Sequence, residues 1–149
     1  MIRRLARWGG RHPESVIQDV DIPVDRADEF LAFLLREIGI LPIWVCPIRS
    51  PDASRRFPLY PLPPSTAYFN FVFWGVVNST AEHEPGHFNR LVEHEVLRLG
   101  GVKSLYSDCF FTRDEFARAY GMDRYATLKA KYDQRGEILG LYEKCVLRG

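Results

Sequence analysis

The sequence predicts an α+β domain: an antiparallel sheet with helices on one face, followed by further helices. Three observations predict it. Strand-like and helix-like segments follow one another as strand, helix, strand, strand, helix, strand, and only then helices alone, an order that suits such a sandwich. Two stretches carry apolar residues at helical spacing and end in glycine. One stretch, 67–78, alternates with the period of a strand and is rich in aromatic residues.

Taken in order, Val16–Val24 (VIQDVDIPV) has the β-branched enrichment of a strand, closed by Pro23. Asp25 is placed to cap the helix that follows, with Asp28 and Glu29 in its electropositive first turn. Phe30, Leu31, Phe33, Leu34 and Ile38 form its apolar stripe up to Gly39. Leu41–Ile48 is a short apolar run framed by prolines and predicts a buried or edge strand carrying Trp44 and Cys46. The proline-rich segment Arg49–Thr66 predicts an extended loop or flap.

Within Ala67–Asn78, alternation puts Tyr68, Asn70, Val72 and Trp74 on one face and Phe69, Phe71 and Phe73 on the other. Phe88, Leu91, Val92, Val96 and Leu99 mark a second helix, ended by Gly100 and Gly101. Lys103–Phe111 predicts another strand. Thr112 and Glu115 form a capping box for a third helix, Met122–Tyr132 a fourth, and Leu141–Cys145 a short last one after the Asp133–Gly136 turn.

With 149 residues, 46% hydrophobic, the chain can build one core of ordinary size and not two. Twenty basic residues face nineteen acidic ones, so its field gives no reason to expect a nucleic-acid partner. Cys46, Cys109 and Cys145 are odd in number and lie in apolar surroundings, which fits packing thiols of a cytoplasmic protein rather than a disulfide framework. The start of the chain, with Arg3, Arg4, Arg7 and Trp8, is basic and too short in apolar residues for a signal peptide or membrane span. It reads as a disordered or partner-packed arm.

The string His83-Glu-Pro-Gly-His87 matches the pattern of a zinc hydrolase, in which two histidines on one helix bind the metal. That geometry needs continuous helix, and Pro85 with Gly86 opposes it by about 3 and 1 kcal/mol, so no metal site is assigned. His94 lies between Glu93 and Glu95 on a helix side that reads as solvated. No glycine-rich phosphate loop is present, so a nucleotide pyrophosphate has no evident cradle. Trp44, Tyr68, Asn70, Trp74, Lys103, Tyr106 and Asp108 fall on segments expected to be neighbours in one sheet. They make either an apolar pocket with polar handles or ordinary core.

Several ordered strings share one resemblance: Val16-Ile-Gln-Asp19, Pro42-Ile-Trp-Val-Cys-Pro47, Lys103-Ser-Leu-Tyr-Ser-Asp-Cys109, Leu128-Lys-Ala-Lys-Tyr-Asp133 and Leu141-Tyr-Glu-Lys-Cys145. In order and spacing they resemble the end of the Diminuto-like delta-24 sterol reductases, flavoproteins of the vanillyl-alcohol-oxidase type. The resemblance implies a ferredoxin-like cap domain that covers a flavin, with FAD held mainly by a domain absent from this chain. It divides the chain into an arm (1–14), a cap or substrate domain (15–111) and a helical tail (112–149) that would pack on the flavin domain.

The same resemblance implies that Trp44, Cys46, Asn70 and Trp74 face an apolar small-molecule substrate, while Tyr106, Ser107 and Asp108 approach the flavin edge. Tyr106 and Asp108 are its candidates for trading a proton with the substrate, and Lys103 and Ser107 its cofactor contacts. Some relatives in the wider superfamily carry Lys-Asp where this chain has Ser107-Asp108, so a lysine's general-base role does not carry over to that position, and Lys103 is the candidate substitute. The implied activity is hydride transfer between FAD and the substrate, absent without the FAD-binding domain. The alternative is a non-catalytic module that binds a lipid or forms a homodimer without flavin.

Overall fold

A computed structural model describes residues 10–148; the expected arm falls mostly outside them. Strand β1 runs His12–Pro23, and a 3-10 turn, Val24–Arg26, leads into helix α1, Ala27–Phe33, which continues as a π-helical turn, Leu34–Ile38. The hairpin β2, Trp44–Ile48, and β3, Tyr68–Ser79, follows, then α2, His87–Arg98, and β4, Val102–Lys103. Helices α3, Arg113–Ala119, and α4, Met122–Tyr132, and a π-helical turn, Glu143–Leu147, complete the chain. The strands lie in the order β2-β3-β1-β4, all antiparallel, which is the ferredoxin-like arrangement.

Strand period explains what this sheet buries. Val16, Val20 and Ile22 of β1 and Phe71 and Phe73 of β3 point to one side, where they meet Phe30 and Leu34 of the first helical segment and Val92 and Val96 of α2. Phe30 is wholly buried and stands edge-on to Phe71, with ring centroids 5.2 Å apart. A second apolar cluster gathers at the β4 end, where Phe116 and Tyr120 of α3 pack with Val102, Cys109, Phe111 and Tyr142. The Arg113 guanidinium lies over the Tyr142 ring, 4.4 Å from its centroid.

The capping box at Thr112 forms as expected. Its hydroxyl accepts from the Glu115 N–H at 3.3 Å while the Glu115 carboxylate accepts from the Thr112 N–H at 2.8 Å. Thr112→Ala is expected to cost about 1 kcal/mol in urea unfolding, and an unchanged midpoint would mean that α3 does not depend on its cap.

Two expectations are corrected. Asp25 does not cap α1, because it is inside the 3-10 turn and the capping position falls to Arg26, which makes no side-chain cap bond. The strand expected over Lys103–Phe111 stops at Lys103. Beyond it, Cys109 and Phe111 turn into the second cluster, and the Phe110 backbone is satisfied by the side chains of Glu93 and Arg90 in place of a ladder. The last short helix begins at Leu141 as expected and continues as the π-helical turn Glu143–Leu147. No helix among the described residues is long and apolar enough to cross a membrane.

Candidate functional site

Alternation that sends β1 and β3 apolar residues into the core sends a different set to the far side of the sheet. The register aligns Trp44 with Val72, Cys46 with Asn70, and Ile17 with Trp74, so these side chains share one open face. Trp44 is 66% exposed and Trp74 58%, with Ile17 and Val76 also exposed beside Trp74. Large apolar groups left uncovered in a row mark a surface that meets something else.

At the centre of this face is a polar network. Asp19 and Asp21 are two apart in β1 and so lie on the same side, opposite Val72 and Asn70. The Asn70 amide nitrogen donates to Asp19 Oδ1 at 2.5 Å and to Asp21 Oδ1 at 2.8 Å. Tyr60, from the proline-rich loop, donates its hydroxyl to Asp21 Oδ2 at 2.8 Å and lies 3.3 Å from Ser104 Oγ. Asp21 is 4% exposed, and its pKa is raised: burial and the Asp19 charge outweigh the hydrogen bonds from Asn70 and Tyr60. Among the described residues no cation pairs with either carboxylate. Tyr106 is 65% exposed, and slight burial together with the nearby Asp19 charge raises its phenol pKa.

The expected site residues therefore divide. Trp44, Cys46, Asn70 and Trp74 come together on the open face, and Tyr106 joins them at its rim through Asp19. Lys103 does not. It pairs with Val20, faces the helices and is wholly buried, with its ammonium donating to Ser107 Oγ at 3.0 Å. Asp108 makes an ion pair with Arg148, and both line a cleft of about 670 Å³ between the start of β1, the turn before α2 and the chain's last turn. Glu14, another lining residue, is occupied in accepting the Asn89 N–H at 3.0 Å near the start of α2.

The His83–His87 string forms no continuous helix. Gly86 takes a left-handed φ of 84°, α2 begins at His87, and the two imidazoles stack 4.1 Å apart. An added Cβ at Gly86 would lie 2.3 Å from the Phe110 ring, so both the backbone and its neighbour require glycine there.

Four residues of consequence were not expected at a site: Asp19, Asp21, Tyr60 and Glu93. The Asp-Val-Asp spacing in β1 carried a usable signal, since period two puts both carboxylates on one face. Glu93, read as solvated, is wholly buried. It follows Asn89 by four residues and precedes Val96 by three, and both neighbours lie on the buried stripe of α2. Nothing local points to Tyr60.

Comparison with known proteins finds sequence similarity over most of the chain. The chain is 25% identical over 134 residues to the delta(24)-sterol reductase homolog dhcr-24 of Caenorhabditis elegans, a match covering 90% of this chain and 25% of that protein. It is 26% identical over 135 residues to the delta(24)-sterol reductase of Homo sapiens, covering 87% and 25% respectively. The mouse delta(24)-sterol reductase matches at the same identity over 136 residues. The chain thus spans about a quarter of the length of the curated relatives it matches. No family model matches it, and no solved structure does.

Proposed function

We propose that the chain is the substrate-side cap of a flavin-dependent oxidoreductase of the delta(24)-sterol-reductase kind, with its open sheet face forming one wall of an apolar substrate cavity. One observation carries this reading: the similarity to sterol reductases runs over nearly the whole chain and coincides with a sheet whose aromatic face is left exposed among the described residues. FAD, held mainly by a domain outside these residues, supplies the hydride transfer when bound. The face suits one side of a flat ring. It does not suit a pyrophosphate, which Asp19 and Asp21 would repel and no glycine-rich loop would cradle.

In this reading Trp44 and Trp74 orient the substrate and keep water away, with Cys46 beyond Trp44 opposite Asn70, and Asn70 holding the carboxylates in place. Tyr106 keeps the proton-exchange role, and Asp19, whose charge it feels, takes the part expected of Asp108. Lys103 and Ser107 act from beneath the face rather than on the cofactor. The domain division at 14 and 111, and a cytoplasmic setting, belong to the same reading. Face-to-face homodimerisation is disfavoured, because a twofold pairing would set the Asp19 and Asp21 pairs of two copies against each other.

The test is the visible flavin spectrum of the purified chain with FAD, alone and with the FAD-binding portion of the human relative. The band is expected to shift only when both proteins are present. Trp74→Ala should weaken that association about tenfold, or about 1.4 kcal/mol. Tight FAD binding by the chain alone would contradict a cofactor held elsewhere. A spectrum unmoved in both mixtures, with a sterol or fatty acid bound instead, would replace the reading by a non-catalytic lipid-binding module.

A further inference from the structure

Beneath the open face is a pair of buried charges that the proposed reading leaves without a task. Glu93 of α2 and Lys103 at the end of β4 are both wholly removed from solvent. Burying such groups is costly unless each is well satisfied, so their partners are informative. The Glu93 carboxylate accepts the Phe110 N–H at 2.9 and 3.2 Å, while Arg90, one turn earlier on α2, donates to the Phe110 carbonyl at 2.9 Å. Lys103 Nζ donates to Ser107 Oγ at 3.0 Å and to the Ser104 carbonyl at 3.2 Å. The Ser104 N–H is taken by the Asp19 carbonyl at 2.8 Å.

The loop 104–110 is thereby tied down at its start, middle and end. The side chain it carries outward is Tyr106, which is exposed and feels the Asp19 charge.

We propose that Glu93 and Lys103 are positioning residues which together hold the loop 104–110 fixed where it leaves Asp19, so that Tyr106 is kept in place beside Asp19 at the rim of the open face. The value of that placement to catalysis rests on the cap reading above; the placement itself is a property of this chain alone. Neither residue touches the face. Glu93 acts through the Phe110 backbone and Lys103 through Ser107 and Ser104.

The clamp also contains a titratable proton. Burial pushes Glu93 up to about 7, against the pull of the Phe110 N–H, Lys103, Arg90 and the Cys109 thiol. Burial lowers Lys103, with the charges of Glu93, Cys109 and Asp108 pulling it back. Tyr120 of α3 also faces Glu93, Glu115 of α3 neutralises Arg90, and Cys145 adds to the field at Lys103. Protonating Glu93 replaces a charge-assisted bond to Phe110 by a neutral one and removes the attraction to Lys103. The clamp is therefore firm above about pH 7 and slack below it.

Global stability moves the other way. A folded-state pKa raised from 4.5 to about 7 means that the Glu93 contribution is complete below pH 4.5 and is lost as pH rises through 7.

The test is NMR of the isotope-labelled chain titrated across neutrality. The Phe110 amide proton is expected to move downfield as pH rises, with a midpoint near 7, and the Tyr106 ring signal, assigned by its loss in Tyr106→Phe, to share that midpoint. Glu93→Gln should abolish both titrations and flatten the fall in stability between pH 4.5 and 7. Ser107→Ala removes the hydroxyl acceptor of Lys103 from a half-buried position, so it serves if the core variant does not fold. It should broaden the Tyr106 signal while the β1 and β3 amides keep their places.

A Tyr106 signal that stays flat while Phe110 titrates would overturn the proposal. So would one that titrates equally in Glu93→Gln, or one that stays sharp in Ser107→Ala. No flavin enters the readout, so a chain that never meets FAD leaves the clamp standing, and a flat Tyr106 leaves the flavin reading untouched.

Discussion

Phe30→Ala is expected to lower the unfolding free energy by about 3–5 kcal/mol, the usual cost of emptying a buried phenylalanine site. Phe30 is wholly buried, edge-on to Phe71 and stacked near Phe33 at 6.1 Å, so no solvent or flexible neighbour can fill the void. It is also the side chain through which α1 grips the sheet. Set against a typical total of about 5–15 kcal/mol, this is a fifth or more of the fold's stability. Urea unfolding at constant slope is the measurement, and a loss under about 1 kcal/mol would show that α1 carries little of the core.

Gly121→Ala should be nearly as damaging, by a different route. Gly121 opens α4 with φ 56°, and a Cβ there would lie 2.1 Å from the Pro58 carbonyl oxygen. The left-handed backbone alone costs a residue with a side chain about 1–2 kcal/mol. Pro58 is backbone and cannot rotate away, so the proline-rich loop has to lift and carry Tyr60 off Asp21. Two results are expected together: a lower unfolding midpoint, and a Tyr60 phenol that ionises more readily, because burial is the main cause of its raised pKa. A variant as stable as the parent, with Tyr60 unchanged, would mean that the loop yields at no cost.

Much of the scaffold was legible because short-range periodicity carried it. The β3 alternation put Trp74 and Asn70 on one face and Phe71 and Phe73 on the other, and the structure agrees. The stripes of α1 and α2 were equally plain, since an apolar face three and four residues apart has one geometric meaning. β1 extends back to His12 because His12–Ser15 pair with Val76–Ser79, a tertiary gain that weakly patterned residues do not advertise.

The misreadings have a common cause. Lys103–Phe111 is apolar and aromatic, which fits a strand and an inward-turning loop equally, and the partners that decide between them, Glu93 and Arg90, come from α2. Half of the candidate site was likewise readable: Asn70 and Trp74 from alternation, Trp44 from the resemblance, Asp19 and Asp21 from their spacing. That one amide joins the two carboxylates depends on the β1–β3 register, and that Tyr60 seals Asp21 depends on a loop with no period at all.

The borders of the sheet decide how the molecule can grow. A strand tolerates proline only where the missing N–H looks away from its neighbour, so Pro47 leaves a gap in the outward row of donors along β2. At the opposite border β4 offers two residues, too few to template a newcomer, before the chain departs. Lateral recruitment of another strand, the route by which bare sheets polymerise into fibrils, is thus closed from both sides.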